Sequence, residues 1–143
     1  MLTRRQFLED SILTATAALA GPALAASAAE PKESSANERL SVAVIGAGMR
    51  GPAHIGAFAR RGDCDVVAIC DADINRARRH ANGVGKRQNR KVAAYQDLRK
   101  IIDDKLIDVV SIATCNHWHA LAAIWAMQAG KDVYVEKPVS HNI

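Results

Sequence analysis

The sequence lacks the features of a disulfide-rich, metal-binding or membrane-spanning protein. Its three cysteines are an odd number without metal-ligand spacing, and Cys70 and Cys115 fall within or just after apolar strand patterns, so we expect buried free thiols. The apolar stretch near the N-terminus is rich in Ala and Thr, is broken by Gly21-Pro22, and is shorter than the ~20 residues that a membrane span requires. The formal net charge of +4 is too diffuse to require nucleic acid or a membrane surface as a partner. What remains, 143 residues of which 49% are hydrophobic, suits one globular domain with a substantial core.

The first 28 residues have the pattern of an export signal. The stretch Thr3-Arg4-Arg5-Gln6-Phe7-Leu8 resembles a twin-arginine motif, and a weakly hydrophobic segment over 12–24 and Ala-x-Ala cleavage candidates follow it. We therefore predict a cleaved signal peptide over 1–28, a solvated linker over 29–39, a periplasmic or otherwise exported protein, and no stable membrane anchor. The alternative is a short amphipathic N-terminal helix with a chance arginine pair. Because twin-arginine export carries folded proteins, any cofactor of this protein is hypothesised to be bound before the protein leaves the cell.

An apolar, β-branched run over 41–45 ends in three glycines spaced G-x-G-x-x-G, which predicts a buried strand, a tight turn and a helix. Gly46 would permit the turn, Gly48 would let the backbone approach a pyrophosphate, and Gly51 would let the helix pack close to the strand. The phosphates would bind the free N–H groups at the helix N-terminus, beside Met49 and Arg50. The alternative is an ordinary structural turn.

A second apolar run over 65–70 ends in a carboxylate, Asp71, twenty residues after Gly51. That offset is the one expected for a group that bonds an adenosine ribose, and it favours a dinucleotide site. Asp71 would repel a 2′-phosphate, so we expect NAD. A basic cluster beyond Asp71 reads as a solvated face but leaves NADP possible. Its members are Arg76, Arg78, Arg79, Lys86, Arg87, Arg90 and Lys91.

Strands and helices alternate along the rest of the chain with short connections, which is typical of a parallel sheet covered on both faces. The predicted elements are helices over 52–61 and 73–82, a strand over 91–94, a helix around 98–102, a strand over 108–113, a helix over 117–129 and a strand over 131–136. Gly83-Val84-Gly85 is expected to end the second helix, and Leu121, Ile124 and Trp125 to be the buried residues of the last. The predicted fold class is α/β, a Rossmann-type doubly wound parallel sheet with helices on both faces.

Three separated stretches resemble the nucleotide-binding half of the Gfo/Idh/MocA oxidoreductases. They are residues 44–51 with His54 following, residues 111–119, and Val135-Glu136-Lys137-Pro138. The Asn-x-x-His and Glu-Lys-Pro motifs in this order are specific, and the resemblance covers residues 39–143. It implies a domain that binds NAD or NADP, and hydride transfer between the nicotinamide and a sugar, cyclitol or related polyol.

The resemblance also implies roles for single residues. Residues at the end of the fourth strand would lie near the nicotinamide and its ribose; they are Ala113, Thr114, Asn116 and His119, of which His119 is also a candidate catalytic residue. Cys115 stands where the family usually has proline. Lys137 would bond the reacting hydroxyl, and partial burial would favour its proton-accepting form; the alternative is a surface lysine. Glu136 would orient Lys137 or contact the cofactor, and the Lys137-Pro138 bond is often cis in the family.

Two histidine features have simpler explanations than a ligand site. His117 and His119 are two residues apart at a helix start and do not share a face, and no third ligand is spaced to join them, so we expect no metal. His54 could contact the nucleotide but is interpreted as a helix residue at the rim.

Family members carry a second α+β domain that forms the substrate wall, supplies a general acid/base and builds the oligomer interface. We therefore expect residues 40–143 to be a truncated nucleotide-binding domain that binds nucleotide without turning over a sugar, and to form a homo-oligomer only if such a domain exists. Three functions stay open: a sugar-type dehydrogenase, an NAD-dependent glycosidase that returns the hydride without net redox, and a non-catalytic NAD(H)-binding module.

Overall fold

The fold is a five-stranded parallel sheet with helices on both faces, seen in a computed structural model that describes residues 39–140. The strands are β1 (Leu40–Ile45), β2 (Cys64–Cys70), β3 (Ala93–Tyr95), β4 (Val109–Ile112) and β5 (Asp132–Val135), and the helices are α1 (Gly51–Ala59), α2 (Ile74–Gln88), α3 (Arg99–Ile102) and α4 (Asn116–Gln128). The order across the sheet is β3-β2-β1-β4-β5, and every pair is parallel. The predicted Rossmann-type α/β fold is confirmed. The predicted signal peptide and the first ten residues of the linker, 29–38, lie outside the described residues.

Each face of the sheet is covered by its own apolar core. On one face Ile45 and Ile112 pack with Ile101 of α3 and the alanines of α4. On the other face Val44 and Ile69 pack with residues of α1 and α2. Because successive side chains of a strand point to opposite faces, neighbouring residues such as Val44 and Ile45 serve different cores. This two-sided burial explains why the central strands are almost entirely apolar, with Ser111 of β4 as a buried polar exception.

The strand order reverses between β1 and β4, which places two loops side by side at the carboxyl end of the sheet. The chain leaves β1 toward β2 and β3 on one side and returns to β4 and β5 on the other. The Ala113 N–H donates to the Ile45 carbonyl at 2.8 Å, so the turn after β1 and the loop after β4 begin in contact. In open α/β sheets this crevice is where ligands bind.

Helix α2 is longer than the glycines in its sequence predict. It continues past Gly83-Val84-Gly85 to Gln88, where Asn89 adopts the left-handed conformation that ends it. Ala77, Ala81 and Val84 form a buried stripe that holds the last turns on the sheet, so packing overrides the low helix propensity of glycine. The following strand forms at Ala93–Tyr95, about two residues later than predicted.

Helix α4 packs through small residues, which is the opposite of the predicted face. Ala122, Ala123 and Ala126 are buried together with His119, whereas Leu121 and Ile124 are 40% and 46% exposed. The branched side chains of β4 and β5 fill the interface, and alanines let the helix approach them closely. Within residues 39–140, no helix combines the length and hydrophobicity needed to cross a membrane.

Candidate nucleotide-binding site

The glycine turn between β1 and α1 has the close contacts that only glycine allows. Gly46 has a φ of +92°, and its N–H donates to the Cys70 carbonyl at 2.8 Å. A Cβ on Gly46 would lie 2.6 Å from the Ala113 backbone, and one on Gly51 would lie 2.1 Å from the Gly46 carbonyl oxygen. The predicted tasks of Gly46 and Gly51 are therefore confirmed by the packing of turn, loop and helix.

Gly48 differs from these two glycines because the space beside it is open. The nearest atom to a Cβ built there is Arg76 Nη1, at 3.9 Å. The next residue, Met49, is fully exposed, and the N-cap of α1 is Arg50, whose side chain has no acceptor for the first-turn N–H groups. Pro52 has no N–H, and the Ala53 N–H already bonds the Arg50 carbonyl at 3.0 Å, so the open part of the site is the turn before the helix. This turn lies at the positive end of the helix dipole and fits a pyrophosphate.

The carboxylate of Asp71 is buried against the glycine turn at the end of β2. Its Oδ2 accepts from the Ala47 N–H at 2.8 Å, and its Oδ1 accepts from the Asp73 N–H at 2.9 Å and from Arg76 Nη1 at 3.3 Å. Three of the roughly four acceptor positions of a carboxylate are therefore used. The structure brings Asp71 to the turn, as the ribose role requires, and leaves one acceptor position for a ribose hydroxyl.

The basic cluster beyond Asp71 does not form one patch. Arg76 alone reaches Asp71, whereas Arg90 pairs with Asp65 at the start of β2, the opposite end of the sheet. Arg78, Arg79 and the other members are exposed on α2 or just after it. Most of the cluster is the solvated face that the sequence predicts.

The segment after β4 carries three of the predicted site residues, with Cys115 between them. Ala113 is buried against the glycine turn, Thr114 is half-buried, and Cys115 and Asn116 are exposed at the start of α4. The expectation that Cys115 is a buried thiol is wrong, because the chain emerges from the sheet at Thr114. Cys70, in β2, is buried, and burial raises the pKa of its thiol to about 12.

His119 is buried at 1% exposure between two main-chain carbonyls. Its Nδ1 lies 2.7 Å from the Pro138 oxygen and its Nε2 lies 3.0 Å from the Thr114 oxygen. The ring therefore joins the loop after β4 to the segment after β5. Since both nitrogens face main-chain oxygens, the arrangement favours a structural role, and the catalytic role stays a prediction.

The carboxylate of Glu136, directly after β5, is the junction of the site. Its Oε2 accepts from Arg50 Nε at 3.0 Å and lies 3.1 Å from His54 Nε2, and its Oε1 accepts from the Lys137 N–H at 3.1 Å. The bonds from His54, Arg50 and the Lys137 main chain lower the pKa of Glu136 to about 2. The group is thus an anion that ties the glycine turn to Lys137.

Two members of this network differ from what the sequence predicts. His54 is buried at 6% exposure rather than lying at the rim, and its Nδ1 is 2.9 Å from Ser111 Oγ. Ser111 is fully buried in β4 and was missed, although a lone polar residue inside an apolar strand was the available signal. The Tyr134 ring packs edge-on against His54 with centroids 5.3 Å apart.

Lys137 follows the network and projects from the carboxyl end of the sheet. The structure leaves it exposed, so the partial burial predicted for it is not supplied by residues 39–140. The Lys137–Pro138 bond is cis, as the resemblance implies. Within the same described part of the chain, no group of three His, Cys, Asp or Glu residues is placed to hold a metal ion.

Residues 40–143 match the family described as "Oxidoreductase family, NAD-binding Rossmann fold", the Gfo/Idh/MocA group. The chain belongs to this family. Its fold is similar to that of myo-inositol dehydrogenase from Lactobacillus casei in complex with NAD(H) and myo-inositol (TM-score 0.64, 29% identity, 71% of this chain and 29% of that one). It is also similar to levoglucosan dehydrogenase in complex with NADH and L-sorbose (TM-score 0.60, 35% identity, 72% and 28%).

A curated relative is named for a different reaction. The chain is 35% identical to an alpha-N-acetylgalactosaminidase of Shewanella oneidensis over 98% of its own length and 34% of the relative. The chain therefore spans about a third of the length of the curated relatives it matches. This Gfo/Idh/MocA chain contains the NAD-binding Rossmann domain, and NAD is its cofactor.

Proposed function

We propose that the protein transfers a hydride between NAD and a carbon of a sugar, cyclitol or related polyol. The observation that carries this proposal is the Glu136 carboxylate, which bonds Arg50 of the glycine turn and the main-chain N–H of Lys137. The main chain of a candidate proton-transferring lysine is thereby held beside the glycine turn. The molecules bound in the complexes of the similar dehydrogenases, myo-inositol and L-sorbose, support the substrate class.

In this proposal each part of the site has a separate task. NAD, when bound, supplies the hydride acceptor. The glycine turn and the N-terminus of α1 hold the pyrophosphate, and Asp71 accepts a bond from the adenosine ribose. Lys137 bonds the substrate hydroxyl and takes its proton as the carbon beneath it loses hydride. Thr114 and Asn116, exposed at the end of β4, border the nicotinamide ribose.

The nucleotide part of the proposal is tested by substituting Gly48, because the space beside this residue is open. We expect Gly48→Ala to fold like the wild type, yet to weaken NADH binding about tenfold or more, since its methyl group takes space needed by the pyrophosphate. The measurements are a fluorescence titration with NADH and the melting temperature. Gly62→Ala, with no atom within 4 Å of its added Cβ, is the matched control. Equal NADH affinity in all three proteins would contradict the assignment.

A second candidate reaction is hydrolysis of a glycosidic bond by transient hydride abstraction. It is favoured by the alpha-N-acetylgalactosaminidase relative, whose similarity extends over 98% of this chain. The nucleotide site and Lys137 would begin this reaction in the same way, but the hydride would return to the sugar. The protein purified from its own source would be assayed with inositols and free sugars and with an aryl α-N-acetylgalactosaminide. NADH accumulation on a free polyol indicates the dehydrogenase, and release of the free sugar without NADH accumulation indicates the glycosidase.

We propose further that the substrate wall and the second proton-transferring group are supplied by residues beyond those of this chain. The support is that the chain covers about a third of its curated relatives and that Lys137 is exposed. Isolated residues 1–143 are then expected to bind NADH without oxidising a polyol. Measurable turnover of any polyol by the purified 143-residue chain would overturn this part.

Export by the twin-arginine route is also proposed. The supporting facts are the Thr3-Arg4-Arg5-Gln6-Phe7-Leu8 stretch and the similarity to a relative over 98% of the chain, which includes most of the leader. Replacing Arg4 and Arg5 with lysine should keep the protein in the cytoplasm. Wild-type protein recovered from the periplasm should carry bound nucleotide, and recovering it free of nucleotide with only weak NADH affinity would contradict loading before export.

A further inference from the structure

We infer that His54 is a positioning residue that fixes Lys137 through the Glu136 carboxylate, with Ser111 holding the imidazole in place. The inference deepens the proposed function, because it rests on Lys137 being the group that meets the substrate hydroxyl. The hydrogen bonds of the His54 ring go to Ser111 and Glu136, and not directly to Lys137 or the glycine turn. It acts on one oxygen of Glu136 while the other oxygen accepts from the Lys137 N–H.

The chemistry of the partners decides the direction of the bonds. Glu136 is ionised and can only accept, so the 3.1 Å contact requires the proton on Nε2 of His54. Nδ1 of a neutral ring then accepts from the Ser111 hydroxyl at 2.9 Å. The carboxylate thus selects the tautomer with the proton on Nε2, and the buried serine, whose hydroxyl can donate or accept, orients the ring.

Ser111, His54 and Glu136 form a hydrogen-bonded relay, and its burial argues against a role in packing alone. Ser111 is fully buried between Val44 of β1 and Tyr134 of β5, and His54 is 6% exposed. Burying a hydroxyl and an imidazole costs free energy unless both are hydrogen-bonded, and aliphatic side chains would fill the same space without that cost. We therefore expect Ser111 and His54 to support the hydrogen bonds at the exposed end of the relay, where Glu136 accepts from Arg50 and from the Lys137 N–H.

The relay connects three elements that are distant along the chain. Ser111 in β4 is 57 residues from His54 in α1, and Glu136 after β5 is 82 residues from it. Arg50 bonds the same Glu136 oxygen from the glycine turn at 3.0 Å. The main chain at Lys137 is therefore held relative to the sheet, through Ser111, and relative to the glycine turn, through Arg50.

The test compares two amide substitutions of His54 that keep different halves of the relay. The amide of His54→Gln reaches the position of Nε2 and retains a donor for Glu136, whereas the shorter amide of His54→Asn reaches only toward Ser111. The readout is the solvent-exchange rate of the Lys137 amide, measured by nitrogen-15 NMR on the nucleotide-free 143-residue chain. We expect His54→Asn to accelerate this exchange about fivefold or more, which corresponds to the loss of about one hydrogen bond. His54→Gln should accelerate it less, because it keeps the donor to Glu136 and loses only the bond to Ser111.

A second variant and a control keep the test decisive if His54→Asn folds poorly. Ser111→Ala leaves His54 and Glu136 in place but frees the ring, so it should accelerate the same amide. His117→Asn makes the same change at an exposed histidine and should leave the rate unchanged. Wild-type exchange at Lys137 in both Ser111→Ala and His54→Asn would overturn the inference, as would equal acceleration in the Gln and Asn variants. Because no nucleotide is needed, failure of the wild type to bind NADH would refute the proposed function by a separate measurement.

Discussion

Substituting Gly51 with alanine tests how α1 is seated on the glycine turn. The added Cβ would lie 2.1 Å from the Gly46 carbonyl oxygen and 2.9 Å from its carbon, where ordinary contact begins at 3.4 Å. The backbone would have to separate by about 1.3 Å, and neither neighbour is a flexible side chain. Overpacking of this kind costs about 3 kcal/mol, which in a domain of this size lowers the melting temperature by about 12 °C or more.

Gly83→Ala is the matched control for this substitution. Gly83 lies inside α2 with no atom within 4 Å of an added Cβ, so alanine there should stabilise the helix by about 0.5–1 kcal/mol. Thermal and urea unfolding followed by circular dichroism would measure both changes, with an unchanged urea m-value showing that stability alone has moved. A Gly51→Ala protein that melts with the wild type, or that shifts in the same direction as Gly83→Ala, would refute the described packing.

Three further predictions concern charge, thiols and a buried lysine. Because folding lowers the pKa of Glu136 from 4.5 to about 2, its stabilising contribution is complete above pH 4.5 and is lost as pH falls toward 2. The melting temperature of the wild type should therefore fall more between about pH 5 and about pH 3 than that of Glu136→Gln, and parallel curves would contradict this. A thiol reagent should modify Cys115 rapidly in the native chain and Cys70 only after unfolding, as peptide mass spectrometry would show; prompt labelling of Cys70 would be inconsistent with its burial. Lys131→Met should lower the free energy of unfolding by about 1–3 kcal/mol in urea, because the buried ammonium donates to the Ile107 carbonyl at 2.8 Å; an unchanged midpoint would exclude that role.

The parts of the fold that depend on local patterns were predictable. Apolar β-branched runs, helical periodicity and three spaced glycines indicated the sheet, the helices and the nucleotide turn, because each pattern has its meaning within a few residues. Where the prediction failed, a tertiary contact decided the outcome. Helix α2 continues past its glycines because Val84 packs on the sheet, and α4 buries its alanines against the branched side chains of β4 and β5.

The same distinction between local patterns and tertiary contacts applies to the candidate site. From sequence alone, Gly46, Gly51 and Asp71 could be assigned to one predicted site by their spacing, and Glu136 and Lys137 could be named from the Glu-Lys-Pro motif. The structure placed Lys137 in the open and His119 between two carbonyls, positions that depend on how the loops after β4 and β5 meet.

The sequence by itself determined that this chain forms a dinucleotide-binding sheet and which residues form its glycine turn. Only the tertiary structure decided that Ser111, His54, Arg50 and Glu136 form one network leading to Lys137. The physical reason is that hydrogen bonds between side chains 57 and 82 residues apart depend on strand order and on the face to which each side chain points. Neither strand order nor side-chain direction can be derived from the residues next to Ser111, His54 or Glu136 along the chain.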